Sequence, residues 1–179
     1  MTDTKSTTGQ ASLPDSPRAA VTEIFHHHYR RLVGLAGLMV DDRESAEEVV
    51  QDAFEALYRR WAALRDPQAA VAYLNRSVVN GSRSRLRRRM TERSYDVPEA
   101  GAVASPSAES LGLDRTERDE LLAAVRALPR RQREVMVLRY FLDLSEAEIA
   151  DWLGISTGSV KTHASRAAGT LHTRMEAWQ

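Results

Sequence analysis

The chain has 179 residues, 42% of them apolar and 28% charged, which suits one domain or two small ones with packed cores under a well-solvated surface. Lys plus Arg and Asp plus Glu each number 25, so the net charge is zero; that excludes a uniformly basic nucleic-acid coat but not a segregated one. The lack of Cys excludes disulfides, thiolate metal sites and a Cys nucleophile. No apolar run approaches the ~18 residues of a membrane span, and the polar start MTDTKSTTGQASLPDSP has no apolar signal segment. The expectation is a cytoplasmic protein without membrane insertion.

Residues 1–20, rich in Ser, Thr, Pro and Gly, read as a disordered tail. A first body is expected over residues 21–94. IFHHHYRRLVGLAGLMV carries Phe25, Tyr29, Leu32, Leu35 and Leu38 at helical spacing. SAEEVVQDAFEALYRRW follows, with Ser45 as candidate N-cap and Glu48 three residues on. Its apolar stripe is Ala46, Val50, Ala53, Leu57 and Trp61. Asp66-Pro67 marks a break, and a long helix is predicted from about Gln68 to Met90, with Gly81 costing about 1 kcal/mol relative to Ala. At ~100° per residue, Val71, Leu74 and Val78 share one side of that helix. Arg76, Asn80, Arg83 and Arg87 share the other, with Tyr73 at its edge. Guanidinium groups, an amide and a ring suit a nucleic-acid strand, through phosphate pairing, base-edge bonds and stacking; an ordinary solvated helix face is the competing reading.

Charge is segregated along the chain. Residues 41–55 hold Asp41, Asp42, Glu44, Glu47, Glu48, Asp52 and Glu55 against the single Arg43. Residues 76–93 hold seven Arg against Glu92. Neighbouring blocks of opposite sign suggest two partners of opposite character. All cations but Lys5 and Lys161 are Arg, which fits a GC-rich genome and also favours bidentate contacts with phosphate and guanine. Residues 95–114, with Pro98, Gly101 and Pro106 and few large apolar side chains, read as a flexible linker.

A second body is expected over residues 115–179. Leu121, Leu122, Val125 and Leu128 lie at helical spacing before Pro129, and Val135, Leu138, Phe141 and Leu142 after it. In SEAEIADWLGISTGSVKTHASRAAGTLHTRM, Ser145 and Glu148 form a capping box, Gly154 sits where a tight turn needs positive φ, Ser156 can cap the next helix and Val160 anchors it. Ile149, Leu153 and Ile155 supply the apolar side and Ala150 a close crossing. Six positions agree in type and spacing with a helix-turn-helix. The wheel of its second helix turns Val160, Ala164, Ala167 and Leu171 inward. Thr162, Ser165 and Arg166 turn outward, and Lys161 lies on the flank. Arg and Lys suit guanine O6 and N7. Thr157 and Ser159 sit near the helix N-terminus, where backbone N–H groups assist phosphate binding.

These features together resemble the extracytoplasmic-function (ECF) group of bacterial RNA polymerase sigma factors of the sigma-70 family, which keep only regions 2 and 4. AEEVVQDAFEALYRRW is similar to region 2.2, YLNRSVVNGSRSRLRRR to the end of region 2, and LPRRQREVMVLRYFLDLSEAEIADWLGISTGSVKTHASRA to region 4. The resemblance implies an all-α fold of two small helical domains and promoter-specific transcription initiation without covalent chemistry. No cofactor and no metal are implied. The implied partners are core polymerase, through the clamp helices of its largest subunit and its flap, together with promoter DNA and an anti-sigma factor. It assigns Glu48, Gln51, Asp52 and Glu55 to polymerase docking. Tyr73, Arg76, Asn80, Arg83 and Arg87 fall to the single-stranded −10 element, and Thr157, Ser159, Lys161, Thr162, Ser165 and Arg166 to the −35 element. The chain departs from the family at His163, where Arg is frequent, and at Ala164 and Ser165, where larger side chains are.

Two rivals use the same residues. A helix-turn-helix regulator would bind duplex without being a polymerase subunit, and a helical protein-interaction module would show no DNA-dependent behaviour. His26, His27 and His28 do not make a metal site, since successive helical side chains point ~100° apart. Trp61, Trp152 and Trp178 read as packing residues, and no nucleophile elbow, phosphate loop or HExxH motif is present.

Overall fold

The computed structural model describes residues 16–64, 69–92 and 115–176. Among them there are seven α-helices and no strand: α1 (Pro17–Met39), α2 (Arg43–Arg60), α3 (Ala69–Glu92), α4 (Arg115–Arg126), α5 (Arg130–Tyr140), α6 (Glu146–Leu153) and α7 (Thr157–Glu176), with a 3₁₀ turn at Trp61–Ala63 after α2. The all-helical expectation holds. Asp66-Pro67, the linker and Trp178 lie outside the described residues.

Helix α1 starts earlier than composition suggested. Ser16 caps it by accepting from the Ala19 N–H, and Pro17 sits in the first turn, where its missing N–H costs nothing. Pro17–Ala20 are therefore helical rather than part of the tail. The cap of α2 also differs from expectation. Asp42, not Ser45, is the N-cap: its carboxylate accepts the Ser45 N–H at 2.8 Å and the Ser45 hydroxyl at 2.9 Å, and Ser45 is buried inside the first turn. A carboxylate facing the positive end of the helix accepts two bonds and adds a favourable charge–dipole term that a hydroxyl lacks.

Val78, Val79, Ser82 and Leu86 of α3 are buried with Leu74, a broader arc than the three-residue stripe in the sequence. Gly81 faces α2: a Cβ there would lie 3.0 Å from Val49 Cγ1, so the glycine that weakens the helix lets the two helices approach. Pro129 precedes α5, as its position between two apolar patterns predicted.

Helices α1–α3 form one body and α4–α7 the other, and the two are packed together. A single buried cluster runs from Leu32, Leu35 and Met39 of α1 through Val78 of α3 to Leu138 of α5 and Ile149 of α6. Full burial of each such side chain stabilises by about 1.5–3 kcal/mol. Around this apolar contact, arginines of one body cap helix C-termini of the other. Arg126 donates to the Gly37 carbonyl at 3.3 Å and Arg133 to the Met39 carbonyl at 3.4 Å, at the end of α1. Arg31 donates to the Phe141 carbonyl at 3.2 Å, at the end of α5. The last carbonyls of a helix have no intrahelical partner, and the negative pole there favours a cation. Burial pushes the Arg133 guanidinium below its ordinary pKa, opposed by the nearby Asp41 and Glu134 carboxylates.

Candidate nucleic-acid interface

The helix-turn-helix is built from the signals its sequence carries. Ser145 and Glu148 make the reciprocal capping box at the start of α6: Glu148 Oε2 accepts the Ser145 N–H at 2.8 Å, and Ser145 Oγ accepts the Glu148 N–H at 3.3 Å. These bonds from Ser145 hold the Glu148 carboxyl below its ordinary pKa. Gly154 closes α6 at φ +64°, in the left-handed region. Ser156 accepts the Ser159 N–H at 3.1 Å and so caps α7. Val160, Ala164, Ala167 and Leu171 are buried, as their wheel requires.

On the opposite side of α7, Thr157, Lys161, Thr162, Ser165 and Arg166 are exposed, and Ser159 is half-buried. The Thr162 hydroxyl donates to the Gly158 carbonyl at 2.9 Å, which leaves its oxygen as an acceptor toward solvent. Lys161 Nζ lies 3.7 Å from Glu146 Oε2, tethered to the preceding helix but more than two-thirds exposed. Arg166, near the middle of α7, is a second exposed cation on this side.

Helix α3 places Arg76, Asn80 and Arg87 on an exposed face, with Arg83 beside them and half-buried. Tyr73 is partly buried, with the Arg60 guanidinium 5.9 Å from its ring centre. Asn80 opens onto a shallow groove between α2 and α3 with Asp52, Ser77, Ser84, Arg85 and Arg88. Arg87 donates to Ser84 Oγ at 3.2 Å. The face is thus flanked by α2 on one side and, on the other, by α6 of the second body. Arg76 reaches Asp151 Oδ2 at 2.9 Å with its guanidinium 5.6 Å from the Trp152 ring centre. Arg83 donates to the Trp152 and Leu153 carbonyls at 3.0 and 3.1 Å. Burial lowers the Arg83 pKa, while Glu134, 3.8 Å away, opposes the shift.

Of the four residues assigned to polymerase docking, Gln51, Asp52 and Glu55 are exposed on α2. Glu48 is ion-paired with Arg85, and Asp42 with Arg89. Part of the acidic block therefore neutralises part of the basic block within one body, so the two blocks do not both stand ready for outside partners. Glu55 pairs with Arg59 one turn on at 3.3 Å, on a solvated surface where such pairs contribute little.

Sequence reasoning missed Glu134, Asp151 and Trp152. Glu134 is 1% exposed and accepts from Arg130 at 2.9 Å and Arg131 at 2.8 Å. Its position as the lone acid among five Arg in residues 126–139 was the available signal. No group of three or more His, Asp or Glu suited to a metal ion occurs among the described residues.

Comparison with known proteins identifies the family of the two helical bodies. The family model for sigma-70 region 2 matches residues 24–92, and that for sigma-70 region 4 matches residues 118–171. The RNA polymerase sigma-E factor of Streptomyces coelicolor is 32% identical over 146 residues, 82% of this chain and 80% of that protein. The ECF RNA polymerase sigma factor SigM of Mycobacterium tuberculosis is 32% identical over 158 residues, 86% of this chain and 76% of that protein. Among solved structures, the sigma factor RpoE of Bartonella quintana, crystallised with the anti-sigma factor NepR, superposes with a TM-score of 0.68 at 22% identity, covering 87% of this chain and 96% of that one. CnrH, solved with the cytosolic domain of CnrY, gives 0.59 at 24% identity over 91% of both chains. Both matched regions fall in order on the two helical bodies, and the chain belongs to the ECF group of sigma-70 family RNA polymerase sigma factors.

Proposed function

We infer that the chain is a promoter-directing sigma factor whose first body, residues 21–94, docks on core polymerase and captures the −10 strand, while its second, residues 115–179, reads the −35 element. The linker over residues 95–114 then spans the distance between the two elements. The observation that carries this is the doubly capped helix-turn-helix of region 4, whose α7 projects Lys161, Thr162, Ser165 and Arg166 from one exposed face. Gln51, Asp52 and Glu55 supply an acidic surface for a basic polymerase element, and Glu48 joins it on release of Arg85. On α3, Arg76, Arg83 and Arg87 suit the strand backbone, Asn80 a base edge and Tyr73 a stacked base. Binding at the −35 site and to polymerase offsets the cost of unpairing and unstacking bases near −10, a few kcal/mol per flipped base. No side chain performs covalent chemistry in this scheme. The co-crystallised anti-sigma partners of related folds support an anti-sigma factor as a further partner, and the site of action is the cytoplasm, with the polymerase.

Run-off transcription with purified core polymerase tests the reading. Promoter-specific transcripts are expected only when the chain is added. Arg166→Ala should weaken −35 binding by about 1–3 kcal/mol and relax specificity at one position. Asp52→Arg should reduce competition against another sigma factor for core. Duplex binding of full strength without core, and no core-dependent transcripts, would instead identify a regulator that is not a polymerase subunit.

A further inference from the structure

We propose that Thr91 is a phosphorylation site for an arginine-directed serine/threonine kinase, and that a phosphate there blocks the α3 strand face. The effect on the strand rests on the assignment of α3 to strand binding; the modification itself does not. Thr91 is the one Ser or Thr of the chain with arginine both two and three residues before it, at Arg89 and Arg88, and Arg87 extends the run. An acidic substrate groove selects hydroxyls by such upstream cations. The position is also reachable. Thr91 is exposed in the last turn of α3, one residue before its end at Glu92. Helix ends fray, so this turn opens at small cost to enter an extended groove. The Thr91 hydroxyl donates to the Arg87 carbonyl at 3.1 Å, an exposed bond that water can replace.

The consequence follows from where Thr91 lies. At ~100° per residue it falls within about 20° of Asn80 and about 40° of Arg87 around the α3 axis, at the far end of the stripe assigned to the strand. The arginines of residues 85–89 are divided. Arg85 pairs with Glu48 and Arg89 with Asp42, both acids on α2. Arg87 and Arg88 are exposed, Arg87 bonded to the Ser84 hydroxyl at 3.2 Å and Arg88 on the groove that Asn80 opens onto. In the reaction, Thr91 Oγ1 attacks the γ-phosphorus of ATP. The Oγ1–P bond forms, the bond from that phosphorus to the β–γ bridging oxygen breaks, ADP leaves and the hydroxyl proton passes to the kinase's carboxylate base. The product carries a charge of about −1.5 to −2 and three acceptor oxygens. Residues three and four apart are neighbours on a helix, so Arg88 and Arg87 are its nearest partners. The phosphate would take the two guanidiniums that a strand phosphate needs, and repel the strand itself. Gln51, Asp52 and Glu55, assigned to polymerase docking, sit on the other helix and keep their exposure.

The full chain is treated with ATP, Mg²⁺ and the purified catalytic subunit of cyclic-AMP-dependent protein kinase, an arginine-directed enzyme. One phosphate is expected, placed on Thr91 by peptide mass spectrometry and absent from Thr91→Ala. No incorporation, or incorporation at other residues only, overturns the site. Affinity for a fluorescein-labelled single-stranded DNA pool of random sequence, about 12 nucleotides long, is then measured against salt. The phosphorylated chain should bind roughly tenfold more weakly at low salt, with the slope of log affinity against log salt reduced by up to about 1.4, the value for two lost phosphate contacts. Thr91→Ala, with or without kinase, should bind like the unmodified chain. Competition against another sigma factor for core should not change on phosphorylation; lost competition would mean a damaged fold and overturns the selective block. The unmodified Arg87→Ala/Arg88→Ala variant should bind the pool as weakly as the phosphorylated chain. Equal affinity of phosphorylated and unmodified chain, with the double variant still weak, overturns the block and leaves the strand face standing. A double variant that binds like the wild type removes this end of the strand face and the block with it, while a phosphate found on Thr91 still upholds the site.

Discussion

At the scale of single residues, Asp42 shows how one carboxylate serves three ends. Burial alone would raise its pKa, but the bonds from Ser45 and the charge of Arg89 outweigh that and hold it below the usual carboxylate range. A lowered pKa in the folded state means a stabilising contribution that is complete above the unfolded value of about 3.9 and is lost as pH falls through the folded one. Asp42→Asn keeps an N-cap while removing the charge. Urea unfolding of the two proteins should therefore differ by a constant amount at neutral pH, with the gap closing in acid; a gap that persists unchanged to about pH 2 would contradict the role given to Asp42. The sequence pointed to Ser45 because Ser followed by Glu three residues on fits a capping box. It did not show that Asp42 precedes the same turn and has Arg89 over it, since that pairing spans two helices.

At the scale of elements, the helix-turn-helix was legible almost to the residue, because each of its devices is local. Ser145, Glu148, Gly154 and Ser156 act on backbone groups within a few positions of themselves, so residue type and spacing suffice. Gly154 is the position most open to test. A Cβ there would meet no atom within 4 Å, so Gly154→Ala carries a purely conformational cost, about 1–2 kcal/mol for holding a non-glycine residue left-handed. Thermal melting should show that loss as a lowered midpoint, with Gly154→Asn milder than Ala because Asn tolerates this region. Equal stability of the Ala variant and wild type would mean the turn does not hold its left-handed geometry in solution. The α3 face was legible as a stripe, but its occupancy was not. Arg83 and Arg31 bond to main-chain carbonyls, and since every residue carries one, no residue type marks the acceptor.

At the scale of the molecule, the two helical bodies read from the sequence are present, and they share a core that the sequence did not announce. Apolar patterning tells which side of a helix is buried, not which helix buries it. Leu138 and Ile149 thus belong to the same buried cluster as Leu35 and Val78. Such sharing couples their unfolding. Trp61 lies in the first body and Trp152 in the second, both partly buried against that cluster. In a Trp178→Phe background, Trp152→Phe and Trp61→Phe variants, each with the other body's tryptophan as the one fluorescent reporter, should show coincident urea midpoints; midpoints separated by more than about 1 M would show the bodies melting independently. Gly81 has a consequence of its own at this scale. Because no methyl separates α3 from Val49, the ridge proposed for polymerase and the ridge proposed for the melted strand touch directly, like meshed gears. On that proposal, a tilt imposed on the first would be handed to the second.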